Sequence, residues 1–557
     1  MTIGRIGFQP TDDGNVLAQT YRLLHGQIPH RDVIFARPMG SALIHIVDFG
    51  LPMPLFEASR LIGIAETVAY SLLFAWLVFD LAPARWGPAR WLAASASSLV
   101  NMHTFLVIGW YQTDGLLLLA LGSVLLRTGL REGRSWVRRA GLLALGCAPL
   151  TKQSFFLAPV LGLVAVAWFG RSRPGMEQSR RVIGAGILLS IPLGLYGVWL
   201  AANRAVSDFL DQTAGAKVVW GRDFFSAFGP GKRGDLLALV GSVAALLVLQ
   251  RIMSARSRRS GTPNRWIVAD LVVRATMTVI VVGFVVTHHL EFRATWGFSL
   301  VWLALLVVLF RAIVQRTLDR AGVVIVAVSW MTSLSWGYAV PNFVAGTAAL
   351  YVLDCFWRDA RPPPWPPVQR TILIVAGIAL ALTGTGFVTG TFAQARYRHP
   401  YGDQPAAELT ATLTNVSPEF GRIRTNRNTA SYLSDLANCI RKYPARWNAV
   451  LPDNPAIYPA LKLRNPFPID WMYFDEIRGH GPEILSAARR LNAQGDYLVL
   501  FQTFKLTALL VTDPLHVATA SSPLYGGPLM EQIRSTLKGS PVVCGYFVGV
   551  RAPARPA

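Results

Sequence analysis

Apolar runs of membrane length alternate with short polar stretches from residue 57 almost to residue 395, while both ends of the chain are polar. The runs fall at roughly 57–82, 91–110, 113–130, 154–170, 182–201, 235–251, 267–287, 295–313 and 371–391, each long enough for a membrane helix. Two further stretches read as tight helical hairpins. Residues 139–170 break at Pro149-Leu150-Thr151-Lys152-Gln153 and residues 321–356 at Trp336-Gly337-Tyr338, so each holds two spans of about 15 to 20 residues. The pattern predicts about twelve transmembrane helices.

From about residue 395 the pattern changes. A helical period near 429–442, a strand at 447–451, proline-rich loops, a helix at 482–493 and strands at 497–501 and 542–550 predict a small α/β domain. The polar first 56 residues carry no apolar run of the kind found in a cleavable signal peptide. Within them, 33–51 reads as an amphipathic helix lying at the membrane interface. The expected organisation is a first loop (1–56), a helical membrane domain (57–394) and a C-terminal domain (395–557).

Composition supports a membrane protein. The 557 residues are 52% hydrophobic and 15% charged, which fits neither a soluble multidomain enzyme nor a disordered chain. A net charge of +22 raises the question of nucleic acid, but that requires basic residues gathered on one soluble face, and here they punctuate the apolar runs. Charge instead sets orientation. With 1–56 outside, the loops at 127–139, 171–181, 251–265, 311–320 and 358–370 lie inside. Together with the turn at 85–90 they hold about 22 Arg and Lys, against about 7 in the short outside loops. The C-terminal domain then lies outside as well. Either the first span inserts with its N-terminus translocated, or an upstream helix delivers the first loop.

The candidate chemistry falls on that outside face. Asp12 and Asp13, in Thr11-Asp12-Asp13-Gly14-Asn15, are adjacent carboxylates on a polar segment; the plainer alternative is a surface turn or helix start before Gly14. Asp114, in Trp110-Tyr111-Gln112-Thr113-Asp114-Gly115, sits at a junction of spans, where a carboxylate usually faces a watery cavity; helix capping by Thr113 or Asp114 is the alternative. Lys152 lies at a hairpin tip, as a functional cation or a snorkelling lysine. In His288-His289-Leu290-Glu291-Phe292-Arg293, His289 and Arg293 are phosphate-contact candidates. Metal-ligand candidates are Asp13, Asp114, His288 and Glu291; adjacent histidines do not share a helix face, so a metal would need ligands from elsewhere. The long loop at 203–234 mixes Asp208, Asp211, Lys217, Trp220, Arg222 and Asp223, as either a carbohydrate surface or a solvated loop would. Cys439 and Cys544 are the only cysteines in the outside domain and are expected to pair; Cys147 and Cys355 lie in apolar spans.

The Asp12-Asp13-Gly14 start, followed by Arg22-Leu23-Leu24-His25-Gly26-Gln27-Ile28-Pro29-His30-Arg31-Asp32, resembles the first outside loop of GT-C glycosyltransferases. The nearest branch is the bacterial one that includes the lipid A aminoarabinose transferases and protein O-mannosyltransferases. Tyr111-Gln112-Thr113-Asp114 and Leu150-Thr151-Lys152-Gln153 are similar to later landmarks of those enzymes, so the resemblance covers about residues 10 to 395 in architecture. It implies a multi-pass protein of the bacterial inner membrane. It also implies a polyprenyl-phosphate sugar donor and a glycan, lipid or protein acceptor on the extracytoplasmic side, with the leading acid, Asp12, as catalytic base. A divalent cation could assist. Members begin with a transmembrane helix before that loop. A transporter or lipid flippase is the competing reading, but it predicts inverted repeats with helices broken at midplane, and the sequence has no such repeat.

Overall fold

The computed structural model describes residues 3–103, 107–169, 176–214, 233–259, 263–288, 296–334, 342–358, 384, 386, 389–394, 397, 403–477 and 479–554. The polar N-terminal segment is not a loop at its centre: residues Asp12–Leu24 form a helix, α1. Asp12 and Asp13 occupy its first turn, where carboxylates favour the positive end of the helix dipole. Polar residues of α1 are buried because partners from distant parts of the chain meet them. The interfacial helix expected at 33–51 is shorter than the sequence suggests. It consists of a helix at Gly40–Ile44 and a 3-10 turn at His45–Gly50, with Leu43, Ile46 and Val47 exposed.

The apolar region is a helical bundle: α2 (Leu55–Phe79), α3 (Pro88–His103), α4 (Tyr111–Glu132), α5 (Ser135–Thr151), α6 (Leu157–Phe169), α7 (Met176–Ala202), α8 (Arg233–Arg259), α9 (Pro263–His288), α10 (Trp296–Val314), α11 (Arg320–Ser333) and α12 (Ala345–Trp357). Among the described residues, six segments are long and apolar enough to cross a membrane, within α2, α4, α7, α8, α9 and α10. Others, such as α6 and α12, are apolar but shorter, and most of the run expected at 371–391 lies outside the described residues.

Packing in the bundle relies on small residues and buried polar groups, since apolar side chains alone give little preference over lipid. The α4–α5 hairpin closes so tightly that a Cβ on Gly122 would lie 2.9 Å from the Gly141 carbonyl oxygen. Asn101 on α3 ties three helices together, donating to Ser71 (3.0 Å) on α2 and Thr347 (2.9 Å) on α12 and accepting from the Gly346 amide (2.9 Å).

The C-terminal domain is a sheet between helices. Its strands are β1 (Trp447–Leu451), β2 (Tyr497–Gln502), β3 (Ser540–Cys544) and β4 (Phe547–Ala552), in the order β1-β2-β4-β3. β1 and β2 are parallel and the other pairs antiparallel. The single strand expected at 542–550 is a hairpin, turned at Gly545, whose φ is +54°. Side-chain alternation along each strand feeds two cores. Leu498 and Leu500 pack with the helix α13 (Arg427–Lys442), while Val499 and Phe501 pack with α14 (Gly481–Gln494) and α15 (Pro528–Thr536). Cys439 on α13 and Cys544 on β3 are joined by a disulfide. Phe8, Leu17, Leu55 and Phe56 belong to the same core as Phe420, Tyr432 and Leu436, so α1 and the start of α2 are packed into this domain.

Candidate functional site

The N-terminus of α1 abuts the C-terminal domain. A Cβ on Gly14 would lie 2.1 Å from the Ala456 amide nitrogen, so only glycine permits this approach, and the Ala456 amide donates to the Pro10 carbonyl (3.2 Å). Arg22 fixes the other end of α1 by a buried bidentate pair with Asp470, Nε–Oδ2 2.6 Å and Nη2–Oδ1 2.7 Å. His30, further along the same stretch, meets Gln212 (2.9 Å) and the Tyr196 hydroxyl (2.9 Å), and burial lowers its pKa to about 4.

The two leading acids have different surroundings. Asp13 accepts from Arg60 Nε (2.9 Å) and Nη2 (2.7 Å) through Oδ1, and from the Gln9 amide (2.9 Å) through Oδ2. Both its oxygens are thus committed within the protein. Asp12 is buried beside a second carboxylate, Asp453, whose Oδ1 accepts from the Thr11 hydroxyl. Burial, reinforced by the charge of Asp12, raises the Asp453 carboxyl to about 7 despite that hydrogen bond. Tyr525 neighbours both Asp453 and Tyr473, and Tyr473, half exposed, stacks on Trp471 at 5.5 Å and 21°.

Further along α1 the same face carries Asn15 and Gln19, buried, with Asn15 Nδ2 lacking a hydrogen-bond partner. Gln19 contacts the Tyr111 hydroxyl at the start of α4. Arg37 lies 4.8 Å over the Tyr111 ring and donates to Glu476 (2.6 Å). Lys152 follows α5 in an extended conformation and is buried, in the field of Arg37 and Glu476. Burial, with the charge of Arg37, holds its ammonium well below the usual lysine range. Lys152 therefore does not snorkel to water. From Asp12 to Gln19 is seven residues, about 10 Å along the helix. Asp12 and Asp453 thus stand at one end of a buried polar track, and Arg37 and Lys152, with Glu476 as their counter-ion, at the other.

Asp114 faces elsewhere. Trp110 occupies the cap position of α4 without a side-chain cap bond, so neither Thr113 nor Asp114 caps that helix. Asp114 Oδ1 instead lies 3.3 Å from His45 Nε2, while His45 Nδ1 meets Asp48 Oδ2 at 2.9 Å. Glu66 on α2 completes a buried group in which ligand atoms of His45, Glu66 and Asp114 lie within 4.8 Å of one another. Asp48 Oδ1, Glu66 Oε2 and Asp114 Oδ2 are buried without hydrogen-bond partners. Two carboxylates and one imidazole offer a divalent cation three ligands: bonds of about 2.05 Å in a tetrahedron put neighbouring ligand atoms roughly 3.3 Å apart, the spacing of His45 Nε2 and Asp114 Oδ1. Asp48 would orient His45 from outside, as carboxylates do behind metal-bound histidines.

Of the other metal candidates, Asp13 is taken by Arg60, and His288 ends α9 with its ring over Phe284 (4.3 Å) and Nδ1 at the Phe284 carbonyl (2.9 Å). His289, Glu291 and Arg293 lie outside the described residues, as do Lys217, Trp220, Arg222 and Asp223. Sequence reasoning missed Glu66, Arg60, Asp453 and Glu476. The first two carried a signal, since a charge inside an apolar span marks a functional or buried-pair position by default.

No protein family and no curated protein matches the chain. Among solved structures it is similar to the crystal structure of ArnT from Cupriavidus metallidurans in the apo state, at 13% identity and a TM-score of 0.43, over 92% of each chain.

Proposed function

We propose that the protein is a membrane glycosyltransferase of GT-C type, moving a sugar from a polyprenyl-phosphate donor to a glycan, lipid or protein acceptor on the extracytoplasmic side of the bacterial inner membrane. The observation that carries this reading is the buried polar track along α1, with Asp12 and Asp453 at one end and Arg37 and Lys152 at the other. The resemblance of the Asp12-Asp13-Gly14 stretch to the first loop of those enzymes supports it independently of the geometry.

The acceptor hydroxyl is a poor nucleophile at neutral pH, so Asp12 takes its proton as the oxygen bonds to the anomeric carbon. The bond from that carbon to the phosphate oxygen breaks, and the lipid phosphate leaves with the electron pair. Lys152 and Arg37 stabilise the charge that collects there. An arriving phosphate also restores the charged form of Lys152, which burial disfavours. Asp453, when ionised, strengthens Asp12 as a base by raising the energy of a second negative charge beside it. Asp13, held by Arg60, positions the helix turn that presents Asp12. The stacked Trp471 and Tyr473 offer apolar faces to a sugar ring, a role for the C-terminal domain in holding the acceptor. A divalent cation at His45, Glu66 and Asp114 would neutralise buried charge and fix the first turn of α4, which carries Tyr111.

The organisation follows: 1–56 and 395–557 outside, with 57–394 as the membrane domain. Single cysteines at Ser434 and Ser257 test the sidedness, because an impermeant reagent should label only the first. Mass spectrometry of envelope glycans and polyprenyl-phosphate sugars from a deletion strain tests the function. Accumulation of one lipid-linked sugar and loss of one modification are expected; an unchanged set of both contradicts the proposal.

A further inference from the structure

The end of the bundle opposite the polar track holds a second site. A cavity of about 410 Å³ opens between the ends of α2, α4, α10, α11 and α12, within the size range of small-molecule pockets. Arg127, Arg131, Arg311, Arg320 and Arg358 line it, together with two carboxylates, Asp80 and Asp319. Each carboxylate is shared. Asp80 pairs with both Arg127 and Arg131, and Asp319 Oδ2 lies 2.9 Å from Arg358 and 3.6 Å from Arg311. Arg320 also lies over the Trp168 ring at 5.9 Å. Asp354, just outside the lining, pairs with Arg358 as well (2.6 Å), so among the described residues three carboxylates stand with five guanidiniums, and the cavity presents more arginine donors than described acids to an entering anion.

The remainder of the wall is apolar, including Leu126, Leu145 and Leu161 on three different helices. A site that is cationic at its mouth and apolar along its wall suits an amphiphile. Its depth in the membrane supports the same conclusion. Helix α4 begins beside Arg37 at Tyr111 and carries Arg127 and Arg131 in its last turns, which places these arginines about 24 to 30 Å from Tyr111 along the helix axis. That approaches the thickness of a bilayer's hydrocarbon core, which places the arginines at the headgroup level of the opposite leaflet. Arginine offers planar, paired donors that match phosphate oxygens better than a lysine would.

We propose that this cavity binds the phosphate headgroup of an anionic phospholipid, one acyl chain lying along the apolar wall. The ligand is recognised by its phosphate ester and net negative charge, as basic pockets between transmembrane helices recognise anionic headgroups. The inference uses no part of the transferase reading, and its failure would leave that reading intact.

The test uses the full chain. Native mass spectrometry after detergent extraction should show phosphatidylglycerol retained on the protein. Thermal unfolding in nanodiscs containing phosphatidylglycerol should occur several degrees above that in phosphatidylcholine discs. The double variant Arg127→Gln, Arg131→Gln leaves the Asp319 pairs untouched, and it should lose both the retained lipid and the shift while unfolding cooperatively. If the double variant does not fold, the single variant Arg131→Gln, at a half-exposed position, should still show a smaller shift than the wild type. Retained lipid and a shift that survive in the folded variant would overturn the assignment to this cavity. Equal stability in the two discs without retained lipid would overturn the proposal. So would stabilisation by inorganic phosphate in detergent that matches the effect of the lipid, since the ligand would then be a free phosphate.

Discussion

Arg60 holds Asp13 with two nitrogens on one carboxylate oxygen, at 2.9 and 2.7 Å, and the same guanidinium donates to the carbonyls of Gly4 (2.8 Å) and Gly7 (2.7 Å). One side chain of α2 thereby gathers residues 4–13, and it does so where both charges are buried. Removing one partner of such a pair leaves the other charge buried and uncompensated, which typically costs about 3–5 kcal/mol. Arg60→Leu should lower the thermal unfolding temperature in detergent and abolish activity with it. An unfolding temperature equal to that of the wild type would contradict the structural role given to this pair.

The His45, Glu66 and Asp114 group predicts a metal. Protein purified without chelator should carry a divalent transition cation, detected by elemental analysis, and X-ray absorption should give a shell of light atoms with one imidazole and no sulfur. Glu66→Gln should lose the metal, whereas Asp13→Asn should keep it, because Asp13 is bound to Arg60 instead. Metal-free, folded and active wild-type protein would mean that protons balance the three carboxylates.

Asp453 predicts a pH dependence with a definite sign. Its carboxyl is raised to about 7 in the fold, above its ordinary value near 4, so the folded state holds the proton more tightly than the unfolded chain. Stability from this group is fully present below about pH 4 and is lost as the pH rises towards 7. Asp453→Asn cannot ionise, and its unfolding temperature relative to wild type should therefore climb between about pH 4 and 7. A difference that stays constant across that window would show that the carboxyl is not perturbed.

The disulfide between Cys439 and Cys544 closes a long loop, at a sequence separation of 105. Cys439→Ser should destabilise the C-terminal domain by about 2–4 kcal/mol. Proteolysis of that domain under native conditions should accelerate, and reductant should reproduce the effect in the wild type. No response to either would show the bond to be dispensable.

Much of the architecture was legible because its signals are local. The break at Lys152, the helix at 427–442 and the strand at 447–451 follow from periodicity and turn residues within a short window. The β3–β4 hairpin was not, because Val542, Val543, Phe547 and Val548 are apolar on both sides of Gly545 and a single strand gives the same pattern. The site was half legible. Asp12 stood out in a pair of adjacent carboxylates on a polar segment, and Asp114 and Lys152 as charges at the junctions of apolar runs. Their partners did not, because the bond from Thr11 to Asp453 spans 442 positions and the pair of Arg37 with Glu476 spans 439. No period or motif encodes such a contact; only the packing of α1 into the C-terminal domain brings them together. The sequence separated Asp12 from Asp13 only through the family resemblance, since only the fold reveals Arg60 facing Asp13 and Asp453 lying beside Asp12.

In the proposed mechanism Asp12 accepts the acceptor's proton. Asp12→Asn keeps the size and the helix start but cannot serve as a base, so transfer from a polyprenyl-phosphate sugar should fall by about 10² to 10⁴. Unfolding temperature and donor binding should stay near wild type, unlike in Lys152→Ala, where donor binding should weaken as well. The decisive measurement is the single-turnover rate of purified, folded Asp12→Asn with saturating donor. A rate lower by that factor with donor affinity retained is the predicted result; a rate close to wild type would contradict the mechanism.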